Sequence, residues 1–592
     1  FQASRSNGTL TLTLDSPGSR VNVLNRAASI QLQAFVREAC PEEVRAIVIR
    51  TAKKNSFING VGLMLAQATK KEEDAARFTA CVRDAYQSLR DARVPVIAAV
   101  QGNCYGCGVE FLLHCKYRIA AETEETHFYM TELADYLFIP LFRSTQYLPE
   151  QVGLANSIDL LLWGDKWSAA KAAEQGLVNA TASDEGFDAR VDRFVERVLA
   201  GDVEPCFPRS RSSPESIGSL AGAAEARIES LPSAYRHVYE DCLNLLVSAA
   251  RGEGGPGHHA REMAASGRSA ASDISKAAFG FFYVRQIAEH LPALGAAEGA
   301  PVAAVSTAAK SGFGADLLRE LESRIVPGVR VVSAANGSLP SLAIRLTDFD
   351  SASETCFGDV AVALQWREFA ANPPERVAYC PLFRAGTRFF ELALRRSGDA
   401  TAAVFAQYLS RAGFSVALSR PVKGFGLNQM IAACLRPVAK YLLAGGSPAL
   451  AEGALREFGF VRGPAWLWDA ARRGGAPETD FSPAERSALA LLRPAHAGDD
   501  ASVLVLADAV CLSLLACTPA SGDAAFYHPA LADLAAREVL DFPLGRGSLC
   551  KYLTRREVRR VLQRGAALES LVAPGELQVA ENFVRSGREF YR

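Results

Sequence analysis

The sequence predicts an α/β protein of several domains, and three stretches carry this prediction. Residues 95–100 form an apolar run of strand length, and a glycine-rich turn at residues 102–108 leads from it into an apolar helical stretch. GTLTLTLDS near the N-terminus alternates with the period of a strand, and VRAIVIRTA has the character of a buried strand. Strands and helices that alternate in this way are typical of α/β folds.

Length and composition set the broad class. A chain of 592 residues is longer than one domain usually is. Its content of 49% hydrophobic and 22% charged residues is that of a globular protein, and a formal charge of −1 argues against bulk nucleic-acid binding. The 13 cysteines have no regular spacing, which predicts reduced thiols rather than disulfides or a zinc site. The chain has no run of 18 or more apolar residues, so we predict no membrane span.

Two glutamates follow the glycine-rich turn. Glu110 lies in the first turn of the predicted helix, and Glu132 follows 22 residues later (132 − 110). Two carboxylates can move protons, and the N-terminal amides of a helix can bind a developing oxyanion. An arbitrary pair of glutamates is more often one helix cap and one solvated side chain. The residue types alone leave both interpretations open.

Longer motifs resemble the crotonase (enoyl-CoA hydratase/isomerase) family. Within it, the resemblance is to the α subunits of the mitochondrial trifunctional protein and its bacterial multifunctional relatives. It covers about the first third of the chain and rests on GCGVE, MTELAD, SPGSRVNVLN, SFINGVGLML and VGLANSIDLLLWGDKWSAAKAAEQGLV. The resemblance implies a crotonase-like ββα spiral at residues 1–201. It also implies that Glu110 and Glu132 act on a coenzyme A thioester, with the backbone amides of Val61 and Cys107 as the oxyanion hole.

One loop departs from the family pattern. Where the family has a glycine-rich loop, residues 139–148 read IPLFRSTQYL, with Leu141, Phe142 and Arg143 in the turn. Bulky residues do not readily adopt positive φ, and they fill volume. We therefore expect an acyl pocket that is blocked or reshaped.

Residues 202–298 are predicted to be a helical linker with irregular segments. The segment RGEGGPGHHAREMAASGRS at 251–269 is rich in glycine and serine and is predicted to be a loop. A pair of histidines there can suggest metal binding. Solvated side chains are the interpretation we favour for His258 and His259.

The second half resembles the 3-hydroxyacyl-CoA dehydrogenase module. The resemblance implies a truncated Rossmann-like sheet at 299–420 and an α-helical C-terminal dehydrogenase-like domain at 421–592. Residues 301–306 are a candidate strand, but no G-x-G-x-x-G turn follows. Residues 320–344 resemble a segment from late in such a domain, so its first half would be deleted. We predict that NAD does not bind and that no other cofactor is present.

The dehydrogenase base is also missing. Its histidine position falls at about Tyr379, and the chain has no histidine between His290 and His496. Ser338, Glu391 and Asn428 match polar positions of the family and are interpreted as vestigial. The sequence therefore predicts no dehydrogenase activity.

Two functions remain, and the sequence favours the second. One is an active enoyl-CoA hydratase of fatty acid β-oxidation. The other is a degenerate α-subunit homologue that serves as a structural subunit of a mitochondrial multiprotein assembly, on the matrix side. The resemblance implies other protein subunits as partners, among them a thiolase-type β subunit. The first residue is Phe1 rather than Met, so we expect a processed N-terminus.

A basic stretch near the C-terminus leaves one further alternative open. Residues 553–565 read LTRREVRRVLQRG, in which Arg555, Arg556, Arg559 and Arg560 lie close together. Such a stretch is most simply a solvated helix face. A docking surface for an acidic partner or for RNA is the sharper alternative.

Overall fold

The computed structural model divides into two compact units, Phe1–Phe279 and Gly280–Arg592. It describes residues 1–19, 21–39, 42–60, 71–206, 214–290, 304–307, 330–333, 343–348, 361–365, 376–379, 389–394, 406, 409–410, 413–420, 425–474, 481–494, 501–521, 525–526 and 528–591. This division does not test the predicted domain boundaries at 201, 298 and 420, which stay predictions.

Two sheets form the frame of the first unit. A six-stranded sheet has the order β1-β2-β3-β5-β7-β10, and a four-stranded sheet has the order β4-β6-β8-β9. The strands are β1 Gln2–Ser6, β2 Thr9–Leu14, β3 Ala46–Thr51, β4 Ser56–Asn59, β5 Val96–Val100, β6 Asn103–Tyr105, β7 Tyr117–Glu122, β8 His127–Tyr129, β9 Trp167–Ser168 and β10 Ala180–Ser183.

Helices connect and cover these strands. They are α1 Arg26–Glu38, α2 Glu72–Arg90, α3 Cys107–Leu112, α4 Thr131–Tyr136, α5 Ser144–Val152, α6 Leu154–Ser157, α7 Ala169–Glu174, α8 Phe187–Ala200, α9 Pro214–Glu229, α10 Ser233–Ala250, α11 Pro256–Ala271 and α12 Asp273–His290. A π-helical turn, Ile158–Leu162, follows α6.

The chain winds through both sheets as a spiral. The pairs β3/β4, β5/β6 and β7/β8 each place one strand in the larger sheet and the next in the smaller one. Corresponding strands of successive turns pair in parallel, with Asn59 opposite Tyr105 and Tyr105 opposite Tyr129. Because parallel strands end at the same edge, the residues that follow β6 and β8 come together there, beside the end of β4. The predicted crotonase-like α/β fold of the N-terminal region is therefore confirmed.

Helix α8 closes one face of the larger sheet. Apolar side chains recur along α8 at helical spacing and pack on the small and branched residues of β3, β5 and β7. All five residues of β5 are buried. A strand buried on both faces reads as a continuous apolar run, which is why Val96–Val100 was recognisable in the sequence.

The prediction of a loop at residues 251–269 is wrong. Pro256–Ala271 is helix α11, which starts after Gly255 with a proline in its first turn. His258 is 1% exposed rather than solvated. The glycine and serine content of the segment misled the prediction, because the serines serve as buried polar contacts of a helix.

The second unit contains a seven-stranded sheet. Its order is β12-β11-β13-β14-β15-β16-β17, and the pairs are parallel except β15 with β16. The strands are β11 Ala304–Thr307, β12 Arg330–Ser333, β13 Ala343–Asp348, β14 Ala361–Gln365, β15 Arg376–Tyr379, β16 Phe389–Leu394 and β17 Ser415–Ser419.

This order corrects the assignment of residues 320–344. They were matched to a late segment of the sheet, yet β12 lies at the edge beside β11, which is the place of the second strand in a doubly wound sheet. More of the first half is therefore present than the sequence indicated. The sheet does not by itself establish the Rossmann-like character that we predicted.

The remainder of the second unit is helical, as predicted. Its helices are α13 Phe425–Leu443, α14 Pro448–Phe458, α15 Pro464–Gly474, α16 Pro483–Leu489, α17 Ala501–Leu515, α18 Pro529–Leu540, α19 Leu549–Tyr552, α20 Arg555–Leu562, α21 Ala566–Glu569 and α22 Pro574–Ser586, with a 3₁₀ turn at Leu544–Arg546. Among the helices that the structure describes, none is long and apolar enough to cross a bilayer.

Candidate functional site

The spiral brings Glu110 and Glu132 together. Glu110 lies on α3, which begins two residues after β6, and Glu132 lies on α4, which begins two residues after β8. Since β6 and β8 are adjacent and parallel, the two helices start side by side. The structure thus assembles the two acids that the sequence singled out. Val61, the first predicted oxyanion-hole residue, lies outside the described residues.

Two glycines allow the backbone to approach closely at the start of α3. Gly106 has a φ of +54°, and a Cβ there would lie 2.6 Å from Glu132 Oε1. A Cβ on Gly108 would lie 2.3 Å from the carbonyl oxygen of Ile58 on β4. Side chains are excluded at both positions. Cys107, between them, supplies the second predicted oxyanion-hole amide, and its own side chain is 3% exposed.

Glu110 is a buried carboxyl that is held from one side. It is 1% exposed, and its Oε1 accepts hydrogen bonds from the backbone N–H of Phe142 at 2.8 Å and from the hydroxyl of Ser144 at 3.0 Å. Burial raises the pKa of Glu110 well above its usual value, and the negative charges of Glu132 and Glu262 raise it further.

Glu132 is also buried, with one oxygen left over. Burial raises its pKa to about 7, against hydrogen bonds from the backbone N–H groups of Glu132 itself and Thr131, while the charge of Asp135 adds to the increase. Its Oε2 is fully buried and has no hydrogen-bond partner among the described residues. Buried polar atoms are rarely left unpaired, so an unpaired carboxyl oxygen here is suited to a bound water or substrate.

The segment before α5 contains bulky residues in the left-handed backbone conformation that glycine favours. Leu137 has a φ of +55° and Arg143 a φ of +66°, so two bulky residues adopt the left-handed region after all. That conformation costs of the order of 1–2 kcal/mol for each residue. Leu141 and Phe142 are buried, as we expected of residues that fill the turn. The loop is strained and closely packed, and it still donates to Glu110.

An aromatic group backs the helix that carries Glu110. Tyr86 on α2 donates a hydrogen bond to the carbonyl oxygen of Cys107 at 2.7 Å. Its ring lies 4.9 Å from that of Phe142 and 5.4 Å from that of Phe111. Tyr86 therefore links the start of α3 to the loop that binds Glu110. No motif in the sequence indicated this contact.

Sequence reasoning also missed a third buried acid, Glu262 on α11. Glu262 is 0% exposed and accepts hydrogen bonds from the backbone N–H of Arg143 at 2.7 Å and of Thr145 at 3.1 Å. His258, one turn earlier, lies 3.1 Å from the Thr145 hydroxyl. The signal that could have revealed these contacts is the spacing of His258, Glu262, Ser266 and Ser269 at three or four residues, which is the period of a helix face.

Cys104 and Cys107 have C-x-x-C spacing, so the statement that the cysteines have no regular spacing is wrong for this pair. Both are free, buried thiols, and burial raises the pKa of each well above its usual value. Thiols of this kind are unreactive. Among the described residues, no group of three or more histidine, cysteine, aspartate or glutamate side chains is arranged to hold a metal ion.

Of the residues interpreted as a vestigial dehydrogenase site, Glu391 and Asn428 lie in the described part of the second unit. Tyr379 and Glu391 are directly paired across β15 and β16. Glu391 is 0% exposed and accepts hydrogen bonds from the backbone N–H groups of Gly426 and Leu427 at the start of α13, each at 2.8 Å. Asn428 is buried on the same helix, and Ser338 lies outside the described residues. Glu391 thus serves as a cap for α13.

Some arginines of the basic stretch near the C-terminus form ion pairs or hydrogen bonds within α20 and with neighbouring segments. Arg560 pairs with Glu557 at 2.5 Å and with Asp508 at 3.1 Å. Arg555 donates to the carbonyl oxygens of Val584 and Gly587. Arg556 and Arg559 remain exposed. The solvated-face interpretation accounts for these contacts, and they do not test docking of a partner.

A helix start framed by Gly106 and Gly108, with the buried acids Glu110 and Glu132 beside it, is the arrangement of a crotonase domain. Residues 4–201 match the enoyl-CoA hydratase/isomerase family. They are homologous to the α subunits of fatty acid oxidation complexes: identity is 30% over 196 residues with the Shewanella loihica subunit and 32% over 171 residues with that of Vibrio cholerae. These alignments cover 33% and 28% of this chain. The chain spans only 27% and 24% of the length of these relatives.

Solved structures of similar proteins include an enoyl-CoA hydratase/carnithine racemase from Magnetospirillum magneticum. It is 26% identical, with a TM-score of 0.31, and the match covers 34% of this chain and 73% of that one. An enoyl-CoA hydratase/isomerase from Pseudoalteromonas atlantica is 21% identical, with a TM-score of 0.34, over 48% of this chain and 96% of that one.

Proposed function

We propose that the N-terminal unit adds water to the double bond of an enoyl thioester, with Glu110 and Glu132 as the proton-transferring pair. The observation that carries this proposal is the unpaired, buried Oε2 of Glu132 beside a second buried carboxyl. A pair of glutamates kept only for packing would have all their buried oxygens satisfied.

The chemistry needs one acid and one base at the same moment. Water gives its hydroxyl to C3 and a proton to a carboxylate, while a carboxylic acid gives a proton to C2. Glu132 lies close enough to Glu110 for its charge to raise the pKa of Glu110, so the protonation of Glu110 depends on the charge of Glu132. With the pKa of Glu132 at about 7, one protonated and one ionised group can coexist near neutral pH.

Hydration of crotonyl-CoA and of a longer enoyl-CoA by the purified chain tests this proposal. Glu110→Gln and Glu132→Gln should each lower kcat/KM by at least about 100-fold, since each removes a proton-transferring group. Glu240→Gln, at an exposed position of α10, is the matched control and should retain full activity. A folded wild-type chain with no more activity than the two variants would contradict the proposal.

A second candidate is a structural subunit of a mitochondrial multiprotein assembly, derived from a fatty acid oxidation α subunit. Two observations support it: Leu141 and Phe142 fill the loop beside Glu110, and Glu391 is engaged as a helix cap. Partners would be other subunits, among them a thiolase-type β subunit, with coenzyme A thioesters unused. Cells that carry only the Glu110→Gln/Glu132→Gln chain distinguish the two functions. A structural subunit should still localise to mitochondria and support assembly.

We further propose that the second unit is a truncated, Rossmann-like 3-hydroxyacyl-CoA dehydrogenase module that does not bind NAD. The pairing of Tyr379 with Glu391 supports it, because it is the pairing expected of a histidine position and its orienting acid. A histidine held by a carboxylate is the usual base for removing a hydroxyl proton. With tyrosine at that position and the acid engaged by α13, Ser338, Glu391 and Asn428 would be remnants.

A further inference from the structure

Helix α11 presents a buried polar stripe to the loop that holds Glu110. Its members are His258, Glu262, Ser266 and Ser269, with exposures of 5% or less. They follow one another at intervals of four, four and three residues, so they share one face of the helix. A buried polar stripe is costly unless it is hydrogen-bonded.

Ser269 and Glu262 bond backbone groups of the loop, whereas the buried hydroxyl of Ser266 has no hydrogen-bond partner among the described residues. Ser269 Oγ accepts a hydrogen bond from the N–H of Ile139 at 3.0 Å. Glu262 accepts from the N–H groups of Arg143 and Thr145 and from the Thr145 hydroxyl. Three backbone amides of the loop and of the start of α5 are thereby satisfied by one helix. A carboxylate suits this position, because all the groups bonded to it are donors.

The hydrogen bonds extend to His258. Since the Thr145 hydroxyl donates to Glu262, its oxygen must accept from His258 Nε2, which lies 3.1 Å away. That assignment places the proton of the neutral imidazole on Nε2. Burial lowers the pKa of His258, so the neutral ring is the stable form.

We propose that Glu262 is a positioning residue for Glu110. Glu262 binds the backbone N–H groups of Arg143 and Thr145. The two groups that bind the Glu110 carboxyl are their neighbours in the chain: the N–H of Phe142 and the hydroxyl of Ser144. The loop has no glycine with which to adopt its turn unaided. Glu262 holds Arg143 in its left-handed conformation instead. This inference rests on the proposed hydratase chemistry and goes beyond it, because Glu262 touches no reacting atom.

Glu262 also acts on Glu110 through its negative charge, in addition to its hydrogen bonds with the loop. It opposes ionisation of Glu110 and so raises the pKa of that carboxyl. The other titratable groups that interact with Glu110 are Glu132 on α4, Tyr86 on α2, Cys107 on α3, and His114 just after α3, which bonds the Glu110 backbone carbonyl. Those that interact with Glu262 are Cys242 on α10 and, on α11, His258 and His259, whose Nδ1 lies 3.6 Å from Glu262 Oε1. Replacing Glu262 alone removes one negative charge from this set.

Glu262→Gln tests the proposal through the pH profile of enoyl thioester hydration. We expect kcat to fall by about tenfold with little change in KM, because the reacting group is displaced while substrate contacts remain. The acidic limb of the kcat profile should move to lower pH. Glu262→Asp keeps the charge and should leave the limb in place while still lowering kcat. Glu240→Gln is the matched control.

An unchanged kcat and an unchanged profile in folded Glu262→Gln would overturn the proposal. If the wild type has no hydratase activity, the proposed function fails, and a second measurement still decides the positioning role. In urea unfolding, the midpoint shifts of Glu110→Gln and Glu262→Gln should not add in the double variant, because the two acids share one loop. Additive shifts, like those expected for Glu262→Gln combined with Glu240→Gln, would also overturn it.

Discussion

Glu132 has a buried carboxyl whose pKa is higher in the folded chain than in the unfolded chain. It is 5% exposed, and its folded-state pKa of about 7 is above the ordinary value of 4.5. Between these two values the folded state binds more protons than the unfolded state. The contribution of Glu132 to stability must therefore fall as pH rises through this window and level off above about pH 7.

Glu132→Gln should remove this pH dependence. We compare the free energy of unfolding of the variant with that of the wild type at each pH. The difference, variant minus wild type, should be about 3 kcal/mol larger at pH 8 than at pH 4, as follows from the pKa change. Urea unfolding at both pH values measures it. A difference between variant and wild type that is the same at pH 4 and pH 8 would show that Glu132 ionises freely in the folded protein.

At the same scale, the sequence located the acids but not what holds them. Glu110, Glu132 and the glycines before them lie in one continuous motif, so their proximity could be predicted. Glu262 comes from a segment 119 residues beyond Arg143 along the chain, and Tyr86 from one 21 residues before Cys107. Tertiary contacts of this kind leave no local pattern, and the composition of 251–269 concealed the helix that carries Glu262.

At the scale of elements, the site depends on how closely α3 approaches β4. Gly108 is the contact point, and a Cβ there would lie 2.3 Å from the Ile58 carbonyl oxygen. Because backbone rather than a flexible side chain is in the way, α3 and β4 would have to separate. The helix that carries both Glu110 and the Cys107 amide would move with them.

Gly108→Ala should therefore lower the free energy of unfolding by about 1–3 kcal/mol, the usual cost of an overpacked core. On the proposed function, hydration activity should fall with it, since the two groups on α3 that we propose to be catalytic are displaced. Gly257→Ala on α11 is the matched control, because a Cβ there meets nothing within 4 Å. That control should be neutral or slightly stabilising. Equal effects of the two substitutions would show that the close approach has no structural importance.

Elements with an all-apolar or strictly alternating pattern were predictable, and those set by topology were not. β2 and β5 follow from their patterns directly. The sheet of the second unit did not, because the position of β12 beside β11 is decided by a crossover and not by the local sequence. Matching residues 320–344 to a late segment implied a deleted first half, whereas the structure describes a sheet of seven strands with β12 at its edge.

For the whole molecule, the sheet of the second unit sharpens the question of NAD binding. β11 has β12 on one side and β13 on the other, both parallel to it. If the sheet is doubly wound, as we propose, the strand order reverses at β11, and dinucleotides bind at such a switch point. On that proposal, the fold alone would allow binding. The chemistry of the segment after β11 argues against it.

We predict that the full chain does not bind NAD. The glycines after β11 read Gly312-x-Gly314-x-x-Leu317, so a leucine stands at the third position, where glycine lets the helix pack closely on the strand. No histidine between His290 and His496 is available as a base, and Glu391 is engaged by α13. Calorimetric titration with NADH should give no heat of binding, and 3-hydroxyacyl-CoA with NAD should give no NADH. A dissociation constant for NADH in the micromolar range would contradict this prediction. It would show that the second unit binds the cofactor without the complete glycine motif.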